Sequence, residues 1–379
     1  MSSIKKVLIV GSGLGGMSLG IALRQIGIEV EIAEINKEFN VYGVGILQQP
    51  NHLRALDTLG LADACMERGS LYGLIKMCTD SGQEFGKSGV PPVGRFDKNN
   101  GISRKVYHEI LYEKAVSIGV TFRMGLTVSE LKNEEESVNV KFTDGSEGDY
   151  QLVVGADGVR SKVRSLVFGN LKPEYIGMSV WRYAFKRSPD LDTGYIFYGK
   201  KTKAGIVAMN ADMMYIFVVA AEGNDNPHIP DHELVPRLKA HLSEYPAKMV
   251  ADLVEQVTDP EKVVYRPLES LLLPDPWYKN RVVLIGDAAH ATIPQLGSGA
   301  ALAVEDAVVL AEELAKEQSI ETALETYMKR RFERCKMTCD ASLTLAAWEK
   351  MEWENLPLPE GANIGMLYGK ALGALTSPI

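Results

Sequence analysis

Val7-Leu8-Ile9-Val10 is an unbroken apolar run that stops at Gly11, which predicts a short buried strand from about Lys6. Met17, Leu19, Ile21, Ala22 and Leu23 follow at helical spacing, and Val30 to Ala33 reads as a second strand closed by Glu34. Two later apolar runs end in the same way. Leu152-Val153-Val154 runs into Gly155-Ala156-Asp157-Gly158, and Val282 to Ile285 runs into Gly286-Asp287. The loop Pro294 to Gly299 then leads into a helix from about Ala300. Between these segments the period changes to two. Val180–Phe185, Thr193–Tyr198, Ala204–Ala208 and Met214–Val219 are rich in β-branched and aromatic residues, with turn residues between them. They predict an antiparallel sheet, with residues 71–95 as candidates for the same sheet and a helical stretch from Asp231 through Leu253.

The first turn reads Gly11-Ser12-Gly13-Leu14-Gly15-Gly16, a GxGxxG between a strand and a helix. Gly11 permits the tight turn, Gly13 lets backbone approach a pyrophosphate, and Gly16 lets helix and strand pack closely. The helix start offers free N–H groups and the positive end of a dipole. Glu34 stands where ribose hydroxyls need an acceptor, and its charge opposes a 2′-phosphate. The pattern predicts a site for NAD or FAD rather than NADP.

Composition narrows the rest. The chain has 379 residues, enough for two or three structural units, with 46% hydrophobic residues. Its 41 Lys+Arg against 49 Asp+Glu give a net charge of −8, which argues against a broad nucleic-acid footprint. Cys65, Cys78, Cys335 and Cys339 lack CxxC spacing, so neither a disulfide framework nor a metal site is expected. Cys335 and Cys339 lie four apart, a helical spacing that fits core packing. No apolar run nears the ~20 residues that span a bilayer. The opening run is too short for a signal peptide, so a cytoplasmic location is expected.

The three ordered motifs resemble those of the class A FAD-dependent monooxygenases, the para-hydroxybenzoate and salicylate hydroxylase-like family. Gly43-Val44-Gly45-Ile46, Pro50-Asn51, Ile102-Ser103-Arg104 and His108 to Leu111 extend the likeness over residues 4–335. The resemblance implies an α/β fold: a Rossmann-like FAD-binding domain (1–71, 98–170, 271–340), an α+β substrate domain on a mostly antiparallel sheet (72–97, 171–270) and a tail (341–379). It assigns FAD contacts to Gly11, Gly13, Leu14, Gly15, Gly16, Glu34, Gly45, Arg104, Asp157, Asp287, Pro294, Gly297, Ser298, Gly299 and Ala300. Asp157 also suits a helix cap. Two positions depart from the family's pattern: Ser298 replaces a glutamine, and Tyr107 a leucine.

The implied reaction uses FAD, NADH or NADPH, and O2. NAD(P)H reduces FAD, O2 gives a C4a-hydroperoxide, and a small aromatic or N-heterocyclic phenol-like substrate is hydroxylated. The alternative is an epoxidase or natural-product hydroxylase acting on a larger substrate. A halogenase is disfavoured, because no Trp-x-Trp occurs. Tyr198 and Tyr215 are candidates to hydrogen-bond a ring oxygen, or else core aromatics. Arg182 is a candidate carboxylate anchor, or else a structural arginine. Leu47, Gln48 and Gln295 are candidate substrate contacts. His290 is expected to brace its own loop. The tail is expected chiefly to pack on the core, with capping of the substrate channel or a dimer contact as alternatives. Neither nucleic acid nor stable membrane insertion is expected, and the chain is expected to be a monomer or homodimer.

Overall fold

Three glycine-bearing turns end three neighbouring strands of one sheet. In the computed structural model, which describes residues 4–39, 43–223, 226, 228–316 and 318–379, a six-stranded sheet runs Tyr278–Lys279, Val282–Leu284, Leu152–Gly155, Lys6–Val10, Glu29–Glu34, Thr121–Met124. All neighbours are parallel except the Tyr278–Lys279 edge. Val7, Leu8 and Ile9 are fully buried, as strands covered on both faces must be. Parallel registers such as Val10 opposite Gly155, and Gly155 opposite Leu284, bring the three turns to one edge. That edge, at the carboxyl ends of the strands, is where open α/β sheets bind ligands.

The second large sheet has seven strands, in the order Val264–Ser270, Glu174–Lys186, Met213–Ala221, Thr202–Ala208, Gly194–Tyr198, Leu74–Thr79, Glu84–Gly89. Neighbours are antiparallel except Gly194–Tyr198 and Leu74–Thr79, which run parallel. These two strands come from distant parts of the chain, so no hairpin dictates their relative direction.

Alternation divides this sheet into two faces. Met214, Ile216 and Val218, with Trp181 and Ile206, pack against the helix Asp231–Ser243 through Leu238 and Leu242. Tyr215, Phe217 and Val219, with Arg182 and Val207, face the opposite way into a cavity. A small three-stranded sheet, ordered Gly45–Gln48, Asn99–Ser103, Ser70–Tyr72, stands beside the cavity; its first strand contributes Gly45, Ile46 and Leu47 and its last strand Tyr72 to the cavity wall.

The division expected at residue 340 falls inside one 34-residue helix, Ile320–Trp353. No glycine or proline interrupts it. Its later part joins Ala346 and Trp353 to Val180, Val219 and Ile293 in a separate apolar cluster. The last helix, Ile364–Ala374, returns Ala371 and Leu372 to the first core. The tail therefore packs, as expected. It also lines the cavity through Leu345, Tyr368 and Leu372, the role that the sequence reading ranked lower.

Candidate active site

The glycine turn is fixed by contact distances. Gly11 has φ +104°, and a Cβ there would lie 2.5 Å from the Ala156 carbonyl oxygen. A Cβ on Gly16 would lie 2.0 Å from the Gly11 oxygen. Both glycines hold the turn from behind. Gly13, by contrast, has no atom within 4 Å of where a Cβ would stand, and with Leu14 and Gly15 it faces the cavity. The helix Leu14–Gln25 begins there without a side-chain cap. The helix Gly299–Ala315 also begins uncapped on the same cavity, at Gly299 and Ala300. Two helix starts with free N–H groups thus converge on one space, which suits an anion.

Glu34 accepts from the Ser12 amide at 3.0 Å and the Ser12 hydroxyl at 2.6 Å. Its other oxygen accepts from the Asn36 amide and side chain. Burial pushes its pKa up, but these bonds more than offset it, so the carboxyl sits below its usual value. Glu34 lies behind the Ser12 turn rather than on the cavity wall. Asp157 makes the helix-cap contacts that its position suits. One of its oxygens accepts from the Ser161 hydroxyl and the other from the Lys162 and Val163 amides. Its carboxylate is committed to capping the helix Lys162–Phe168, and its neighbours Ala156, Gly158 and Val159 line the cavity instead.

Arg104 and Asp287 both line the cavity. Gly43 makes room for Arg104, since a Cβ would stand 2.9 Å from its Cδ. Burial raises the Asp287 carboxyl, and His290 and Arg104 only partly counter it. Pro294, Gly297 and Gly45 also line the cavity. A Cβ on Gly45 would sit 2.3 Å from the Tyr215 ring, so glycine here lets that ring reach the site.

Behind the site lies a buried charge network. Asp306 accepts from His290 at 2.6 Å, the Gly286 amide at 2.9 Å and Arg331 at 2.7 Å. Arg331, with no exposed surface on its side chain, also reaches Glu305 at 2.9 Å. His290 braces its loop as expected. His290, Asp306 and Cys335 bring possible metal-ligand atoms within 4.8 Å of one another. Arg331 already supplies the positive charge there, bonding Asp306 and lying 3.6 Å from the Cys335 sulfur. Cys335 and Cys339 are both buried and free, as core packing requires.

The cavity encloses about 900 Å³ and runs from the glycine turn to the seven-stranded sheet. Leu47, Arg182, Tyr198, Tyr215 and Gln295 all line it. Gln48 does not. Its side chain is fully buried and accepts from Asn100 at 2.8 Å. The Ser298 side chain also turns away, donating to Gln49 and to the Leu296 carbonyl. The sequence reading missed Tyr72, Lys203, Glu349 and Tyr368, all on the wall. Lys203 shares the parity of Val207, so alternation along Thr202–Ala208 was a usable signal. Tyr72, Glu349 and Tyr368 carried no local signal. Tyr72 is only 6% exposed, and its hydroxyl has no hydrogen-bond partner.

The family described as FAD binding domain matches residues 5–342. The chain is a group A FAD-dependent monooxygenase of the para-hydroxybenzoate hydroxylase type. The monooxygenase is 33% identical to YetM of Bacillus subtilis over 342 residues, 87% of this chain and 90% of that protein. It is 30% identical to the aurachin C monooxygenase/isomerase of Stigmatella aurantiaca over 358 residues, 92% and 90% of the two chains. Its fold matches Klebsiella pneumoniae HpxO, solved with FAD and uric acid, at a TM-score of 0.83. That match has 24% identity and covers 100% of this chain and 98% of that one. The residues fit the cofactor: open space at Gly13, two uncapped helix starts and the Arg104 guanidinium share a single cavity. Among the described residues, no helix of the monooxygenase is long and apolar enough to cross a membrane.

Proposed function

We propose that this enzyme hydroxylates a small aromatic or N-heterocyclic, phenol-like substrate, with NADH or NADPH as reductant. The observation that carries the reading is the continuity of one cavity from the uncapped helix starts to the wall of Arg182, Tyr215 and Phe217. Bound FAD would supply the redox chemistry, taking hydride from NAD(P)H and activating O2 for transfer of one oxygen atom. The chain's own residues have separate tasks. Gly13, Leu14 and Gly15 receive the pyrophosphate on backbone N–H groups, with Arg104 adding positive charge. The Gly299 and Ala300 amides stabilise negative charge at the pyrimidine edge of the ring system. Leu47, Val207 and Phe217 keep water from the reacting face. Arg182 and the Tyr215 and Tyr198 hydroxyls orient the substrate's polar groups. Four buried, free cysteines suit a cytoplasmic enzyme.

A larger substrate is the second reading. The cavity extends to the C-terminal helix, where Gly365 and Gly369 stand beside Tyr368 and Leu372 on its wall. The test is NADH and NADPH oxidation by the FAD-loaded enzyme, with O2 uptake and peroxide followed in parallel. Hydroxybenzoates, hydroxyquinolines and purines form the first panel, and larger polycyclic phenols the second. The expected result is faster oxidation without matching peroxide for a first-panel compound. Acceleration by second-panel compounds alone would replace the first reading with the second. A rate that no compound alters would sink both.

A further inference from the structure

A charged pair stands in the substrate part of this cavity, where an apolar wall would serve to exclude water. Lys203, from the strand Thr202–Ala208, forms a salt bridge with one oxygen of Glu349, from the helix Ile320–Trp353. Their side chains are 12% and 10% exposed, and both line the cavity. Burying such a pair costs desolvation energy that the attraction only partly returns, so it is weak as a device for stability. Among the described residues, the second oxygen of Glu349 accepts only from the Gln295 side-chain amide, at 3.5 Å, the outer limit of a hydrogen bond. The other end of the same amide, Gln295 Oε1, is buried and has no hydrogen-bond partner among the described residues. Glu349 and Gln295 both line the cavity, and each keeps an acceptor oxygen with unused capacity, one anionic and one neutral.

Among the described residues no further donor bonds them. Tyr198 lies on the same wall. Burial, with the charges of Glu349 and Glu352 added, pushes its hydroxyl up to about 12, so it stays protonated. Its hydroxyl contacts the Met77 sulfur. A buried acceptor left without a donor is costly, so a site that keeps two of them is matched to a ligand that brings donors.

We propose that Glu349, held in place by Lys203, and Gln295 Oε1 form a substrate anchor that selects hydroxylated or N–H-bearing aromatic rings over analogues lacking the donor. The inference rests on the small-aromatic reading above and deepens it. It assigns a specificity-determining role to the C-terminal helix. The anchor acts by hydrogen bonding and involves no covalent step. Discrimination against a donor-free analogue is expected to be about tenfold, because the analogue leaves the charged acceptor unpaired in a dry site.

The experiment uses the FAD-loaded full chain and two methylated pairs: 4-hydroxyquinoline with 4-methoxyquinoline, and 3-hydroxybenzoate with 3-methoxybenzoate. Binding is read by calorimetry and by perturbation of the flavin spectrum, and turnover by NAD(P)H oxidation. The wild type is expected to bind a hydroxy compound about tenfold more tightly than its methoxy twin. The double variant K203M/E349M, which removes the charged acceptor together with its partner, is expected to bring that ratio near one, and Gln295→Met, which keeps volume but removes the neutral acceptor, is expected to lower it. Flavin content and Tm of each variant establish that it folds. Equal binding of twins by the wild type, or an unchanged ratio in both variants, overturns the anchor. If a hydroxy compound is still turned over in that case, the small-aromatic reading survives it. Failure of all four compounds to bind or to alter oxidation overturns both.

Discussion

The two sides of the cavity are built by different rules. The cofactor side is made of turns a few residues long, the first of them fixed by backbone contacts that admit only glycine: Gly11 against Ala156, Gly16 against Gly11. The substrate side is assembled from five separate elements. Tyr72, Lys203, Tyr215, Glu349 and Tyr368 meet only after the seven-stranded sheet and the two C-terminal helices have packed. A short-range device preserves cofactor binding wherever its motif survives. A long-range one leaves substrate choice free to change by single side chains, with the sheet's other face holding the fold.

The largest effect expected from testing this contrast lies behind the cofactor side. Arg331→Met would leave Asp306 buried without its guanidinium and Glu305 with Arg334 but without Arg331, at a cost of about 3–5 kcal/mol. Thermal melts should show a large drop in Tm with early flavin release, and an unchanged Tm would remove the network's structural role. Gly16→Ala comes next. Its Cβ must displace the turn, so about 2–4 kcal/mol of stability and most bound flavin should be lost. Flavin-to-protein ratio after purification is the readout, and full retention would break the claim that backbone contact fixes this side.

Gly45→Ala should behave differently. Its Cβ collides with the Tyr215 ring, so substrate binding should weaken about tenfold while flavin is retained. Adding Tyr215→Ala should relieve the collision and recover stability. If the double variant is less stable than Gly45→Ala alone, that contact does not govern the site.

Acid sensitivity should also sit on the cofactor side. Burial raises Glu305 and Asp306, but Arg331 with Arg334 around Glu305, and His290 with Arg331 around Asp306, more than offset it and hold both below the usual carboxylate range. A lowered folded-state pKa contributes stability that is present above about pH 4 and lost as pH falls through the lowered values. Flavin release should therefore begin below about pH 4, and a pH-independent release temperature down to pH 3 would contradict it. The smallest effect compares two neighbours on Gly45–Gln48. Leu47→Ala should raise KM several-fold through lost apolar contact, whereas Gln48→Met should leave KM within about twofold. Equal effects would mean that alternation does not sort this strand.

Legibility followed the same division. The strand-turn-helix at residues 6–25, the acid at Glu34 and the two later strand-to-glycine turns could be read because each is encoded within about ten neighbouring residues. Tyr215 could be placed by its strand, on the sheet that the family resemblance sets against the flavin, and with Arg182 it lines the cavity. The resemblance failed for Gln48, where one residue of register decides between cavity and core. For Asp157 the helix cap is the reading that its oxygens fulfil, and motif position alone says nothing about which amides they will meet.

The sequence by itself determined the parallel sheet, the glycine turns and the dinucleotide site, because those depend on steric limits local to the backbone. Only the tertiary structure decided that the helix from Ile320 runs unbroken to Trp353, and that it carries Glu349 to Lys203 across 146 residues of chain. The reason is physical. A buried ion pair and an unpartnered amide oxygen are properties of a packed surface, and no periodicity in the chain records which distant strand a helix will meet.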